Sequence, residues 1–183
     1  DAEKMWAFAP ERDALSADAL LDLRYLNEDV AGEHGFIGLS ADSMSFVRGD
    51  GAPIRFWGGS DYTQRGAYQD VTTHLRQIAR YQREGKPDKV AEEELLVEQA
   101  KVKGWEDLRH HAQFLAKRGV NIARWHGHLP ASLSRDELAA GKTLKLTDID
   151  EEELDQAFRL VAAMKEAGIY TILSPFWGSH TTI

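Results

Sequence analysis

The sequence predicts an α/β fold built on a parallel sheet, because one local pattern occurs twice. Residues 116–120 (AKRGV) parallel residues 165–169 (KEAGI): an amphipathic helix reaches a glycine and leads directly into a β-branched strand. Glycine supplies the left-handed conformation that ends such a helix. Strands that are apolar on both faces and alternate with helices are typical of a parallel sheet covered by helices. A doubly wound sheet and a (β/α)8 barrel are the two candidate forms.

Composition narrows the classes of function. The chain has 183 residues, of which 43% are hydrophobic and 28% are charged, a globular composition. Its formal net charge of −8 argues against nucleic acid and anionic membrane surfaces as partners. No apolar run approaches the roughly 20 residues that a membrane helix needs. Because it has no cysteine, the chain lacks a disulfide scaffold, a thiolate metal site and a cysteine nucleophile.

The chain begins with a leader of mixed composition. Two aromatic residues and an apolar run, 15–26, lie within otherwise polar sequence. We expect residues 1–35 to form an N-terminal leader arm that lies on another surface, as a helix or in extended form. Residues 36–183 then form the α/β domain.

A β-hairpin and a helical segment follow the leader. The hairpin is predicted over residues 44–57, where β-rich runs flank Asp50-Gly51, because its tight turn needs positive φ. Residues 61–104 are predicted to be helical, since apolar side chains recur on one face, and Gly85 divides the segment into two helices.

The parallel strands are predicted near 54–59, 120–125 and 169–174. A helix that ends at Gly119 precedes the second strand, and another that begins at Asp150 precedes the third. The carboxylate of Asp150 is expected to cap the free N–H groups of that helix. No strand is followed by the glycine-rich G-x-G-x-x-G loop of dinucleotide-binding sheets. This argues against a nucleotide-binding function.

Three motifs resemble those of one enzyme clan. Residues 46–58 (FVRGDGAPIRFWG) are similar to the hairpin that opens clan A glycoside hydrolases, the cellulase- and mannanase-like barrels that include family 5. Residues 115–124 (LAKRGVNIAR) resemble the G-x-N-x-x-R second strand of that clan, and residues 164–173 resemble its third helix-to-strand stretch. The resemblance implies the N-terminal part of a (β/α)8 barrel whose bottom the hairpin plugs, with 61–104 as a helical insertion.

The resemblance also implies what the chain does. A retaining glycoside hydrolase uses two carboxyl groups about 5 Å apart, as acid/base and as nucleophile. In the clan these glutamates follow strands four and seven, and a complete barrel needs about 250 residues. Asn27-Glu28 lies upstream of the hairpin and does not match the Asn-Glu motif after strand four. The chain is therefore expected to be an N-terminal segment without catalytic residues of its own.

The implied partners are a carbohydrate substrate and the remaining C-terminal part of the same protein, with no cofactor and no metal. Residues 26–36 are similar to the leader of some secreted bacterial members. An extracellular or periplasmic location is therefore expected.

Alternation along the second strand selects three candidate site residues. Arg124, His126 and His128 are two residues apart and so point toward the same space, at the strand end where active sites of these barrels lie. The resemblance implies that Arg124 keeps the nucleophile carboxylate ionised and oriented; a structural ion pair is the alternative. The two histidines are candidate sugar-binding groups, with a metal pair or solvent-exposed loop residues as alternatives.

Trp177, Trp57 and Asp61 complete the substrate-binding set. The indole of Trp177, after the third strand, could stack on the C–H face of a pyranose ring, with ordinary packing as the alternative. Trp57 is predicted to end the first strand, where core packing is the alternative, and Asp61 is predicted to follow at the same rim.

Three hypotheses of function follow. The first is the retaining glycoside hydrolase that acts on a poly- or oligosaccharide. The second is a non-catalytic carbohydrate-binding or interaction module, which takes the 183 residues as complete. The third is a metal-dependent barrel hydrolase that uses His126 and His128.

Overall fold

The computed structural model describes residues 11–16, 18–61, 64–126, 129, 133, 137, 139–143, 145 and 147–174; for residues 61 and 64–69 it describes the backbone alone. The strands, in chain order, are β1 (Gly38–Leu39), β2 (Phe46–Val47), β3 (Pro53–Ile54), β4 (Gly58–Asp61), β5 (Ile122–His126) and β6 (Tyr170–Ser174). The helices are α1 (Gln64–Arg83), α2 (Pro87–Ala116) and α3 (Glu151–Glu166), with a short 3-10 helix at Arg24–Leu26.

The predicted hairpin is present as β2 and β3, and β1 pairs with β2 to complete a small antiparallel sheet in the order β1-β2-β3. Its turn is the one predicted: Gly51 has φ of +82°, and the Arg48 amide donates to the carbonyl of Ala52 at 2.9 Å. The strands are shorter than the predicted 44–57, and β1 was not predicted. The pairing of Phe46 with Ile54 sets the register of β2 and β3.

The larger sheet is parallel, as predicted, with strand order β4-β5-β6. In its register Ser60 pairs with Arg124, and Arg124 pairs in turn with Ile172. The strand predicted near 54–59 is divided differently, since Ile54 belongs to the hairpin and the parallel strand begins at Gly58. A Cβ at Gly58 would lie 1.7 Å from the carbonyl oxygen of Ile122, so glycine is required where β4 meets β5.

In the chain, the helices α1 and α2 follow β4 and precede β5, and they pack together as an antiparallel pair. Gly85, with φ of +67°, ends α1 as predicted, and Pro87 opens α2. The sequence predicted a boundary near residue 104, but α2 is continuous from Pro87 to Ala116. An internal glycine costs a helix only about 1 kcal/mol relative to alanine. Gly104 is buried within α2, and buried neighbours such as Leu108 hold the helix across it.

The core lies between the parallel sheet and the helices α2 and α3. Ala123 and Trp125 of β5 belong to one buried cluster with Leu108 of α2 and with Leu160 and Met164 of α3. Both crossover helices therefore cover the same face of the sheet. Because side chains alternate along a strand, Ile122, Arg124 and His126 point to the opposite face.

The helix ends follow the predicted local chemistry. The Asp150 carboxylate accepts the amides of Glu152 at 3.0 Å and Glu153 at 3.1 Å, which confirms the predicted cap of α3. Gly119 and Gly168 have φ of +77° and +72°, so each turn from helix to strand uses the predicted left-handed glycine.

The described part of the leader, residues 11–16 and 18–35, lies across the amino-terminal ends of β5 and β6. The Leu23 amide donates to the carbonyl of Lys117 at 3.0 Å, and the Ala31 amide donates to that of Lys165 at 2.9 Å. The carboxylate of Asp13 accepts from Lys117 Nζ at 2.8 Å. None of the helices in the described part of the chain combines the length and apolarity that crossing a membrane requires.

Candidate functional site

The carboxyl-terminal edge of the parallel sheet carries a group of polar side chains on the face away from the core. Ser60 of β4, Arg124 and His126 of β5, and Ser174 of β6 lie on this face by the register of the three strands. We call these four residues the polar edge. They come from three separate strands, so the sheet itself brings them together.

Two cross-strand contacts organise the polar edge. Arg124 Nε donates to Ser174 Oγ at 3.0 Å, and Ser60 Oγ lies 3.3 Å from His126 Nε2. His126 is 8% exposed, whereas Arg124 is half-buried and Ser60 is exposed. The edge therefore offers a guanidinium and two hydroxyl groups over a surface spanning three strands, with the imidazole of His126 largely buried.

The predicted position of Arg124 is partly correct. Arg124 is the third of five residues in β5, and His126 is the last, so His126 stands nearer the strand end than Arg124 does. Both are nonetheless on the face that the alternation predicted. Neither serine was predicted, although each is one strand away from a predicted residue.

Trp57 does not belong to the polar edge. It precedes β4 instead of ending it, and its backbone is held by Asn121, whose Oδ1 accepts from the Trp57 amide at 2.7 Å. This pairing lies at the amino-terminal end of the sheet, opposite the polar edge. The prediction that Trp57 ends the first strand is therefore wrong, and its indole is 72% exposed instead of in the core.

The structure describes the other predicted residues in part or not at all. Asp61 is the last residue of β4 and pairs with Trp125 in the sheet, so its backbone lies at the carboxyl-terminal edge. Its side chain, like the whole of His128 and Trp177, lies outside the described residues.

A second group of titratable side chains, which the sequence did not reveal, lies at the opposite end of the sheet. The buried carboxylate of Glu28 in the leader accepts hydrogen bonds from the hydroxyl of Tyr170 in β6 and from Nδ1 of His34. Its partner in β6 is 142 positions away in the chain. The one local signal was an acidic residue between apolar residues, Leu26 and Val30.

The electrostatics of this second group follow from burial and hydrogen bonding. Burial tends to raise the pKa of Glu28, but the hydrogen bonds from Tyr170 and His34 outweigh it and leave the pKa below its usual range. Burial, together with the hydrogen bond to Glu28, raises the pKa of Tyr170 to about 12. Tyr170 therefore remains a donor throughout the neutral and acidic range.

The metal hypothesis gains no support from the described residues. Among them, His126 belongs to no cluster of three side chains that could ligate an ion together. The described cluster with suitable spacing contains Glu28 and His34, whose facing atoms are already joined by a hydrogen bond of 2.8 Å. We assign no metal to either place.

Comparison of the chain with protein-family models, with curated proteins and with solved structures found no match. The resemblance to clan A glycoside hydrolases therefore stays a prediction, and the polar edge has to be interpreted from its own geometry.

Proposed function

We propose that the chain supplies the first three β/α units of a retaining glycoside hydrolase, and that the polar edge forms part of its carbohydrate cleft. The observation that carries the proposal is the group of polar side chains on the sheet face away from α2 and α3, a face that they share with Ile122 and Ile172. A doubly wound sheet buries that face under further helices and fills it with apolar side chains. Here Arg124 and His126 occupy it, which suits the lumen and rim of a (β/α)8 barrel.

The chemistry of the polar edge fits a sugar cleft. Serine hydroxyls and an imidazole can donate to and accept from sugar hydroxyls. The guanidinium of Arg124 can hold a carboxylate in a two-pronged hydrogen bond and keep it ionised. The two glutamates of the retaining mechanism would follow strands four and seven, in the part of the protein after residue 183.

The mechanism needs only these two carboxyl groups and water, so the proposal includes no cofactor. An extracellular or periplasmic location is part of the same proposal, because a hydrolase of polymeric carbohydrate acts on substrate that lies outside the cytoplasm. A polysaccharide or oligosaccharide is the proposed substrate class.

A hydrolysis assay on the protein with its natural C-terminal sequence tests the proposal. The substrates are soluble β-1,4-glucan and β-1,4-mannan, and NMR of the first-formed product reads the anomeric configuration. We expect hydrolysis with retention, and we expect Arg124→Ala to lower kcat/KM by about 100-fold or more, as loss of a transition-state contact does. Arg80→Ala, on the far helix α1, is the matched control and should stay within about twofold of the unaltered protein.

Either of two results would overturn the hydrolase proposal. One is a natural sequence without glutamates after the fourth and seventh strands. The other is hydrolysis that Arg124→Ala leaves unchanged.

A carbohydrate-binding module is the second candidate. The polar edge, in its described side chains, contains an arginine, a histidine and serines but no carboxylate. Such a set can bind sugar hydroxyls without cleaving a glycosidic bond. Binding of oligosaccharide by the protein, lost in Arg124→Ala and without product formation, would favour this candidate over the hydrolase.

A further inference from the structure

A buried carboxylate ties the leader to the last strand of the sheet. The side chain of Glu28 is 2% exposed. Its Oε2 accepts from the Tyr170 hydroxyl and from the Gly32 amide at 3.3 Å. Its Oε1 accepts from His34 Nδ1 at 2.8 Å and from the His34 amide at 3.4 Å. Four donors therefore converge on one carboxylate, whose negative charge strengthens each of these bonds.

The same segment of the leader contacts both helix-to-strand turns. Leu23 is bonded to Lys117 in the first turn, and Ala31 is bonded to Lys165 in the second. Between these two points, Asn27 Nδ2 donates to the carbonyl of Val120 at 2.8 Å. Residues 22–35, which we call the strap, thus span the amino-terminal ends of β5 and β6.

The second turn and the strap approach each other closely. A Cβ at Gly168 would lie 1.9 Å from the carbonyl oxygen of Glu28. The strap can therefore lie flat on this turn only because residue 168 is glycine. Aromatic contacts continue the packing, since the rings of Phe56 and Tyr170 meet edge to face at 5.6 Å.

Charged and titratable groups reach the surroundings of Glu28 from every element packed against it. They are Asp29, Glu33 and His34 from its own loop, Tyr170 from β6, Arg48 from the hairpin, and Arg55 between β3 and β4. The two arginines line the same polar cavity as Glu28. Glu28 holds the strap on β6 through Tyr170, and the Gly32 amide also donates to the Tyr170 hydroxyl at 3.1 Å.

We propose that the strap is an acid-labile closure, held on the sheet while Glu28 is ionised and released when Glu28 becomes protonated, with the α/β core still folded. A protonated carboxyl group keeps fewer acceptor positions than a carboxylate, and its bonds to the four donors weaken. The leader contributes short polypeptide contacts but little to the buried core, so it can open locally. The strap is independent of the proposed carbohydrate function.

The sign of the pH dependence follows from the hydrogen bonds. In the folded protein the pKa of Glu28 lies below the 4.5 of an unperturbed glutamate. The stabilisation of the strap is therefore complete above about pH 4.5 and is lost as the pH falls through the lower, folded-state pKa. The release reverses when the pH is raised again.

Hydrogen exchange of single backbone amides tests the strap. The measured quantity is the protection factor, the exchange rate corrected for its intrinsic pH dependence, between pH 6 and pH 2.5. We expect the protection of the Leu23 and Ala31 amides to fall at least tenfold over this range. The amides of Leu160 and Met164 in α3 should change less than threefold, because the core stays folded.

Two substitutions separate the strap from general acid sensitivity. Glu28→Gln imitates the protonated carboxyl group, so its strap should already be weakly protected at pH 6. Glu33→Gln, in the same loop but with a more exposed side chain, is the matched control and should behave as the unaltered protein. Tyr170→Phe removes one donor but keeps the carboxylate, and should move the release to a higher pH.

Three results would overturn the proposal. One is strap protection that stays within threefold from pH 6 to pH 2.5. The second is loss of strap and α3 protection at the same pH, which indicates global unfolding. The third is an unchanged release midpoint in Tyr170→Phe, a result that remains decisive even if Glu28→Gln does not fold.

Discussion

The two ends of the parallel sheet are held by different kinds of contact. At the amino-terminal end, backbone groups of the strap bond to both helix-to-strand turns. The buried carboxylate of Glu28 also accepts a hydrogen bond from the Tyr170 hydroxyl. At the carboxyl-terminal edge, side chains of neighbouring strands contact one another, as in the pair of Arg124 and Ser174. Backbone bonds and a buried charge are costly to break, whereas partly exposed side-chain pairs are not.

Under the proposed function, this difference separates the part of the sheet that holds the leader from the part that would bind carbohydrate. In barrels of parallel strands, stability is concentrated at the amino-terminal face and chemistry at the carboxyl-terminal face. In the proposed barrel, the strap lies at the amino-terminal face and the polar edge at the carboxyl-terminal face. Substitutions in the strap should therefore lower stability, whereas substitutions at the polar edge should lower binding and change stability little.

The largest expected effect is on stability, from loss of the buried carboxylate. Glu28→Ala should lower the free energy of unfolding by at most about 3 kcal/mol, because it leaves the Tyr170 hydroxyl and the donors of His34 without their acceptor, while the core stays folded once the strap has opened. Ser60→Ala, at the polar edge, should cost less than about 1 kcal/mol, since its side chain is exposed. Urea denaturation at pH 7 measures both values, and similar losses at the two ends would contradict the division.

The next effect comes from a pair of glycines with nearly the same positive φ. Gly168→Ala should cost about 3 kcal/mol, because it adds a collision with the Glu28 carbonyl to the strain of positive φ. Gly85→Ala, at φ of +67° with open space around it, should cost only about 1–2 kcal/mol. Thermal or urea unfolding measures the loss of stability in each variant, and the difference between the two losses gives the cost of the collision with the strap. Equal losses in the two variants would show that the strap does not approach Gly168 closely.

Local rules predicted the parts of the fold that neighbours in sequence determine. The left-handed glycines at 119 and 168, the Asp50-Gly51 turn and the cap by Asp150 are all where the sequence placed them. Each depends on a few adjacent residues, so each has a sequence signature.

Contacts between distant residues decided the rest. Nothing near Glu28 in the sequence indicates that Tyr170 will donate to it. The end of the hairpin and the start of β4 depend on how Asn121 pairs with Trp57, so the candidate role of Trp57 was assigned to the wrong end of the sheet. By contrast, the face of Arg124 and His126 followed from alternation alone.

A smaller effect concerns the cap of α3, which begins on the side of the polar edge. Asp150→Ala should lower the free energy of unfolding by about 1 kcal/mol, because two amides of the first turn lose their acceptor. Thr147→Ala, three residues earlier with an exposed side chain outside the helix, is the matched control and should change it by less than about 0.5 kcal/mol. If both variants lose equally, the capping interaction does not stabilise α3.

The smallest effect is a change in one pKa within the strap. The Arg24 side chain, together with its backbone amide, lowers the pKa of Asp22 to about 2. Arg24→Gln should move this pKa toward the ordinary value of 3.8 without unfolding the protein. NMR titration of the Asp22 carboxyl carbon measures it. Arg12→Gln, whose partner is Asp107, should leave the pKa of Asp22 where it is.

Chemical-shift mapping with oligosaccharides tests most directly whether the polar edge is the binding end of the sheet. Cellohexaose and mannohexaose are titrated into the ¹⁵N-labelled protein, and the amide and side-chain signals of both ends are followed. We predict saturable shifts at Ser60, Arg124, His126 and Ser174, with Glu28 and the strap unchanged. Shifts confined to the strap, or none with either sugar at millimolar concentration, would contradict the account.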